Sequence, residues 1–176
     1  MSTDRQRRFE AATLPHLHAA YNLARWLLRD EAAAQDAVQE AYLSALRHFE
    51  QLRGADARPW LLGIVRNACH DHLRERRRLD EHLEWDDAHD EATQPRRDPM
   101  ALLEQRALSE RIDRAIARLA PAFREVVVLR ELGECSYEEI AQIAGIPVGT
   151  VMSRLSRARA LLREALRDER MDDGHA

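Results

Sequence analysis

Apolar side chains recur at helical spacing through most of the first half of the chain. The pattern is clearest in three stretches, at residues 14–28, 36–49 and 61–72. A repeat of three to four residues places the apolar side chains on one face of a helix. The spacing therefore predicts a first module of three amphipathic helices, which we place at residues 8–79.

A second module, at residues 102–170, has the same periodicity. One helix is predicted from Leu102 up to a break at Pro121, and another follows it. The VVVL run at residues 126–129 is by itself compatible with a strand, but the Arg–Glu pairs on both sides favour a helix. Aromatic residues make up only 5% of the chain, which disfavours a β-sandwich or barrel. We therefore expect an all-α fold.

The segment between the modules, at residues 80–101, is acidic. Residues 80–98 contain eight acidic side chains and two arginines, a local charge of −6. Such a run cannot bury a continuous apolar face, and Pro95 and Pro99 discourage a helix at its end. The sequence thus predicts two small helical domains joined by an acidic flexible linker.

The distribution of charge matters more than its sum. A net charge of −4 argues against a simple nucleic-acid coat protein. Without the segment at 80–98 the remainder carries +2, and residues 146–163 contain four arginines and no acid. Lysine is absent, so all 27 residues in the lysine-plus-arginine count are arginines, whose guanidinium group suits phosphates and base edges. Basic segments are therefore available to bind nucleic acid.

The strongest local signal is a helix-turn-helix in the second module. Ser136 and Glu139 have the spacing of a capping box, which predicts a helix from Tyr137. Gly145 ends that helix and Pro147 suits the start of the next. A short helix, a tight turn with glycine and a longer helix form this DNA-binding motif, which the C-terminal domain is predicted to contain.

The longer helix has two different faces. An apolar stripe that includes Val151, Leu155 and Ala158 is predicted to face the core. The opposite side carries the short polar and basic side chains that a major-groove reader needs. They are Ser153, Arg154, Ser156 and Arg157, and the apolar Met152 lies among them. The alternative is a helical hairpin with a solvated arginine face.

The last helix of the first module is also basic on one side. An amide among guanidinium groups can read an exposed base while its neighbours hold phosphates. The side chains predicted for this role are Trp60, Arg66, Asn67, His70, Arg74, Arg76, Arg77 and Arg78. The alternative is a basic helix with a buried anchoring tryptophan.

The preceding helix lies in an acidic segment. Residues 29–50 have a balance of −3, and Asp36, Gln39, Glu40 and Leu43 share the face opposite the apolar stripe. A polar strip with one leucine can dock a basic partner surface, although many such strips are merely solvated.

Together these segments resemble the extracytoplasmic-function (ECF) group of bacterial RNA polymerase sigma factors. DAVQEAYLSALRHF is similar to the polymerase-binding segment of that family, and RPWLLGIVRNACHDHLRERRR to the helix that melts the minus-ten element. AFREVVVLRELGECSYEEIAQIAGIPVGTVMSRLSRARALLREAL is similar to the minus-thirty-five reader. The resemblance covers roughly residues 9–79 and 102–167, and three motifs in order are more specific than one.

The resemblance implies roles for these residues. Asp36, Gln39 and Glu40 would bind the clamp helices of the largest polymerase subunit, and the flap is a further expected contact. Asn67 would contact a base flipped from the non-template strand. Thr150 joins the minus-thirty-five contacts, with Arg154 and Arg159 on the DNA backbone. Promoter DNA, core polymerase and an anti-sigma factor are the expected partners, in a stress or envelope response.

Two positions depart from the pattern of this family. Many relatives have an arginine where Met152 stands, and Leu52 replaces an aromatic residue in the base-capturing loop. Both changes affect the expected promoter sequence and not the expected role.

Two other classes of protein are alternatives to a sigma factor. An autonomous helix-turn-helix repressor would leave the first module unexplained. An enzyme or metal protein would need a constellation such as Cys69, His70 and His72, but a packed cysteine and a satisfied histidine are the more ordinary reading. We therefore expect no catalytic residues, metal or cofactor. Two cysteines, no signal peptide and no long apolar span indicate a cytoplasmic protein without membrane insertion.

Overall fold

The computed structural model describes residues 3–54, 56–80 and 101–172, and this part of the chain is all-α. The predicted acidic linker lies almost entirely outside the described residues. The helices are α1 (Thr3–Thr13), α2 (Leu17–Leu28), α3 (Glu31–His48), α4 (Ala57–Asp80), α5 (Ala101–Arg118), α6 (Pro121–Val127), α7 (Tyr137–Ala144) and α8 (Val148–Asp172). No helix among the described residues is long and apolar enough to cross a membrane.

The first module contains one helix more than the periodicity predicts. α1 presents few apolar side chains, but Phe9 packs edge-to-face against Phe49 and Tyr42, with ring centroids 5.4 Å and 6.2 Å away. α3 begins at Glu31 and not near Asp36, because the Asp30 side chain caps the helix by accepting a hydrogen bond from the Ala33 N–H. Both differences arise from contacts that the spacing of apolar residues does not predict.

The core of the first module is built from α2, α3 and α4, which pack closely against one another. Small side chains make this possible, since Ala20, Ala24, Ala34 and Ala37 are fully buried. Helices with alanines at their contact approach more closely than helices with bulky side chains there. The alanine-rich composition thus has a structural use in this three-helix arrangement.

The second module contains the predicted VVVL helix, in modified form. α6 begins with Pro121 in its first turn, and at Val128–Leu132 the helix widens into a π turn. Gly133 follows, where a Cβ atom would lie 2.8 Å from the Leu129 carbonyl oxygen. A glycine is therefore required at this close approach.

The helix-turn-helix is confirmed in detail. Ser136 and Glu139 form both hydrogen bonds of the capping box, and Gly145 ends α7 in the left-handed conformation with φ 65°. Val151 and Leu155 of α8 are buried as predicted. This packing fixes the orientation of α8, which is the helix expected to read DNA.

The two modules pack against each other and share one apolar core. α7 lies against α4, while α6 and the π turn lie against α2. Leu23 and Leu62 of the first module and Val128 and Leu129 of the second line one narrow apolar cavity at the junction. The chain is therefore in a closed arrangement, which the sequence did not predict.

Candidate nucleic-acid interface

The outer face of α8 is open to solvent. Met152 is 54% exposed, and Ser153, Ser156 and Arg157 are exposed on the same side of the helix. Because the opposite stripe is buried against α5, α6 and α7, these side chains are held on a fixed support. The structure thus brings together the central residues of the predicted reader.

Three further predicted contacts on α8 lie at the edge of this face. Thr150, Arg154 and Arg159 are half-buried. The Arg159 guanidinium is paired with Glu131 of the π turn, with Nη2 and Oε1 2.7 Å apart. A contact between Arg159 and a DNA phosphate therefore requires exchange of this exposed ion pair, which costs little in water.

The basic side of α4 is partly exposed. Asn67 faces solvent, as do Arg74, Arg76, Arg77 and Arg78. Arg74 and Arg78 pair with acids one turn before them at 3.6 Å, which are weak surface contacts. Trp60 is half-buried and packs against the cluster that contains Phe9 and Phe49.

Arg66 and His70 are placed differently from the other predicted α4 contacts. Both face Glu125 of the second module: Arg66 Nε donates to Glu125 Oε1, and Arg66 Nη2 donates to Oε2 at 3.4 Å. His70 Nε2 lies 3.6 Å from Glu125 Oε1. Two side chains predicted to meet DNA thus contact a carboxylate of the same chain.

Glu125 is only 3% exposed, and its surroundings determine its charge. Burial by itself raises the pKa of this carboxyl group. The nearby His70 and the hydrogen bonds and charge of Arg66 outweigh burial, so the pKa lies below its ordinary value. Glu125 is therefore an ionised carboxylate held between the two modules.

The predicted polymerase-binding strip forms one exposed face of α3. Asp36, Gln39, Glu40 and Leu43 all face solvent, at positions separated by three and four residues. Glu40 Oε2 also lies 3.2 Å from His72 Nε2 of α4. His72 is thus a half-buried histidine with a hydrogen-bond partner, which agrees with the expectation of a satisfied histidine.

Comparison with known proteins identifies the family. The models for Sigma-70 region 2 and for Sigma-70, region 4 match residues 14–79 and 109–162, more than half of the chain. The RNA polymerase sigma-H factor of Pseudomonas aeruginosa is 33% identical over 168 residues, 92% of this chain and 87% of that protein. The ECF RNA polymerase sigma-E factor of Escherichia coli is 36% identical over 131 residues, 70% of this chain and 69% of that protein. The chain belongs to the ECF group of the sigma-70 family.

A solved structure supports the fold of this sigma factor. The sigma factor RpoE from Bartonella quintana, in complex with the anti-sigma factor NepR, aligns with a TM-score of 0.78 at 28% identity. The alignment covers 92% of this chain and 98% of that one. Both modules of the sigma factor are therefore included in the similarity.

Neither cysteine of the sigma factor has the features of a reactive thiol. Cys69 and Cys135 are both buried and free. Burial raises the pKa of Cys69 to about 12 and that of Cys135 to about 11, which keeps both protonated near neutral pH. Within the described residues no group of three or more potential ligands could hold a metal ion.

Sequence reasoning missed the residues that join the modules. Glu125 stands in a helix with charged flanks, where a glutamate is ordinarily solvated. Arg58 and Glu139 also cross the junction, with Nη1 and Oε1 3.6 Å apart. No local signal distinguishes such residues from surface charges, because their partners are distant in sequence.

The ionised state of Glu125 predicts a pH-dependent contribution to folding stability. Near pH 7, Glu125→Gln should lower the free energy of unfolding by roughly 1–3 kcal/mol, because charged hydrogen bonds are lost. A carboxyl with a lowered folded-state pKa stabilises the fold above its unfolded value of about 4.3, and this stabilisation is lost as the pH falls through the folded-state pKa. Urea unfolding of both proteins between neutral and acid pH should therefore show the difference shrinking in acid.

Glu164→Gln is the matched control, since Glu164 is exposed on α8. Its effect on unfolding should be small at every pH. A stability difference for Glu125→Gln that stays constant down to low pH would contradict an ionised Glu125.

Proposed function

We propose that this sigma factor binds core RNA polymerase and directs it to promoters through two separate DNA-contacting helices. The observation that carries the proposal is the exposed face of α8, presented by a helix-turn-helix in a chain that matches both sigma-70 regions. A fixed helix with short polar and basic side chains fits the major groove of DNA.

In the second module, α8 would read the minus-thirty-five element. Arg157 can donate two hydrogen bonds to a guanine, and Met152 can make an apolar contact with a thymine methyl group. Thr150, Ser153 and Ser156 would contact the same groove, while Arg154 and Arg159 would hold the backbone. The exposure of Met152 supports an apolar contact in place of an arginine contact.

In the first module, α4 would hold the melted minus-ten strand. Asn67 faces solvent with exposed arginines two and three turns later, so an amide and several cations lie on one helix. Extruding a base costs a few kcal/mol, which contacts to that base and to the backbone offset. Trp60, Arg66, His70, Arg74, Arg76, Arg77 and Arg78 complete the proposed surface.

The α3 strip would bind the polymerase. Asp36, Gln39 and Glu40 place carboxylates and an amide around exposed Leu43, a combination suited to a basic partner helix with an apolar anchor. We assign this strip to the clamp helices of the largest subunit, and the second module to the flap.

Control by an anti-sigma factor is part of the proposal. The Bartonella relative was solved with its anti-sigma factor NepR, and its sequence aligns along nearly the whole chain. We infer that this chain also has an anti-sigma partner, in a stress or envelope response. Its place of action would be the cytoplasm, where core polymerase transcribes.

Reconstituted transcription tests the proposed function. The full chain with bacterial core polymerase should produce discrete transcripts from a pool of genomic fragments that core alone does not transcribe. If tight binding of duplex promoter DNA occurs without polymerase and no transcript appears, the chain is an autonomous repressor or activator instead.

Asn67→Ala should impair promoter melting, because the amide that contacts the flipped base is removed. Permanganate reactivity of unpaired thymines measures melting in the reconstituted holoenzyme. Binding of the variant to core polymerase, measured on the same preparation, should equal that of the wild type. Normal melting by the variant would contradict the assignment of Asn67.

Arg157→Ala should weaken binding of the holoenzyme to promoter DNA by about 1–3 kcal/mol if Arg157 contacts a base. The loss should depend on the minus-thirty-five sequence and disappear on DNA that lacks this element. Arg163→Ala is the matched control, because Arg163 is exposed on the same helix two turns beyond Ser156 and is not one of the proposed DNA contacts. An equal loss in both variants would indicate general charge attraction instead of base recognition.

A further inference from the structure

Helix α1 brings two arginines to the segment that is expected to capture a promoter base. Arg5 and Arg8 of α1 both face Glu50, which lies two residues before Leu52 of that segment. Arg5 Nε and Arg8 Nη2 are 3.5 Å and 3.2 Å from Glu50 Oε1. Neither arginine belongs to the minus-ten surface proposed for α4.

An aromatic cluster joins α1 to the start of α4. Phe9 of α1 packs against Phe49, and Trp60 of α4 packs against the same cluster. Both phenylalanines are buried, so α1 is held in place by apolar contacts. Because Trp60 is one of the proposed minus-ten contacts, the side chains of α1 have a fixed position next to that surface.

The exposed arginines of α4 all lie at its C-terminal end. They are Arg74, Arg76, Arg77 and Arg78. Arg58 and Arg66, in the other half of the helix, are half-buried and each faces a carboxylate. The distance from Trp60 to Arg74 is about 21 Å along a helix that rises 1.5 Å per residue. A strand that follows α4 past Asn67 towards Trp60 therefore leaves the exposed arginines of α4 behind and approaches α1.

Arg5 and Arg8 have different tasks in α1. Arg5 Nη2 donates to the Leu46 carbonyl oxygen at 2.9 Å, in the last turn of α3, and the Arg5 side chain is 30% exposed. Such a bond satisfies a carbonyl group that the end of a helix leaves unpaired. Arg8 is 57% exposed, and its guanidinium carbon lies 5.9 Å from the centroid of the Phe49 ring. Arg5 thus anchors α1, whereas Arg8 is an ordered cation that a ligand can reach from the solvent.

The ion pair with Glu50 leaves Arg8 available to a phosphate. Both side chains of this pair are more than half exposed, and an exposed ion pair adds little stability. A guanidinium group binds a phosphate with the same forked donors that it offers to a carboxylate. Exchange of Glu50 for a phosphate therefore costs little and keeps the geometry of the donors.

The surface around Arg8 is positively charged. We define the α1 surface as Arg5, Arg8, Arg47, Glu50 and Arg53. Four guanidinium groups and one carboxylate give it a net charge of +3, and all of these side chains except that of Arg5 are fully exposed. The next acid along the chain, Asp56, accepts a hydrogen bond from the Arg58 N–H at the start of α4. The α1 surface therefore attracts phosphate even while Glu50 is present.

We propose that the α1 surface is an additional promoter contact, in which Arg8 binds one backbone phosphate of the melted non-template strand beside the captured base. The proposal rests on the proposed function, because it takes α4 to hold that strand. It extends the DNA-binding surface of the first module from α4 to the N-terminal helix. Arg5 is a positioning residue that holds α1 against α3.

Neutralising single phosphates tests this contact. Holoenzymes with the wild-type or the Arg8→Ala chain are titrated with a promoter fragment whose minus-ten region is a preformed bubble, so that melting does not contribute. One phosphate at a time in the non-template strand of the bubble is replaced by an uncharged methylphosphonate. Arg8→Ala should weaken binding about threefold to fivefold. At one position the methylphosphonate should weaken the wild type by the same factor and leave the variant unchanged. Additive losses at every position would overturn the proposal.

Two further variants separate a phosphate contact from other effects of the substitution. Arg7 is exposed on α1 and, two residues from Phe9, faces away from the cluster, so Arg7→Ala should bind the bubble like the wild type. Glu50→Gln removes the ion pairs of both Arg5 and Arg8 but keeps their charges, and it should bind at least as tightly as the wild type. A loss in Arg7→Ala equal to that in Arg8→Ala would show general charge attraction. An equal loss in Glu50→Gln would show that the ion pairs only anchor α1, and either result rejects the contact.

The outcomes distinguish this proposal from the proposed function. If the wild-type chain gives no discrete transcript from the genomic pool, the proposed function fails. If the wild-type holoenzyme opens its promoter and no phosphate is coupled to Arg8, the function is retained and only the α1 contact is rejected.

Discussion

The closed arrangement constrains one carboxylate, which is buried beside the shared apolar core between two helices of different modules. Glu125 is almost inaccessible to solvent, and removing an ion from water costs several kcal/mol unless opposite charge and hydrogen bonds compensate. Arg66 provides opposite charge and hydrogen bonds from α4, and His70 of the same helix lies 3.6 Å from the carboxylate. Because they belong to the first module and Glu125 to the second, the charge of Glu125 is compensated only while the modules are together.

The two proposed DNA-contacting surfaces therefore differ in their exposure in the same molecule. The face of α8 is complete and exposed, whereas α4 presents Asn67 to solvent and holds Arg66 against the second module. Affinity for nucleic acid depends mainly on the number of cations that are free to meet phosphates. We therefore expect a chain with a net charge of −4 and an arginine already bound internally to bind DNA weakly by itself.

The sequence predicts well the structural features that are determined within short segments. The capping box at Ser136 and Glu139, the left-handed Gly145 and the buried stripe of α8 each arise within a few residues, and all are confirmed. The exposed strip on α3 follows from helical spacing in the same way. The helix α1 and the buried Glu125 are different, because each requires a partner that only the folded chain supplies. The early start of α3 is again local, since Asp30 caps the helix three residues before Ala33, but apolar spacing does not include such a cap. The roles of the individual site residues in DNA and polymerase binding remain predictions.

The junction combines an ion pair with an apolar core, and the two kinds of contact differ in how they stabilise it. Well-packed apolar residues of similar volume often stabilise a fold more than a buried ion pair does. Yet separating an apolar contact exposes hydrophobic surface to water, whereas separated charges regain their hydration. A guanidinium group such as that of Arg66 can bind a carboxylate or a phosphate with similar hydrogen-bond geometry. The closed state thus owes part of its stability to an interaction that water and DNA can both replace.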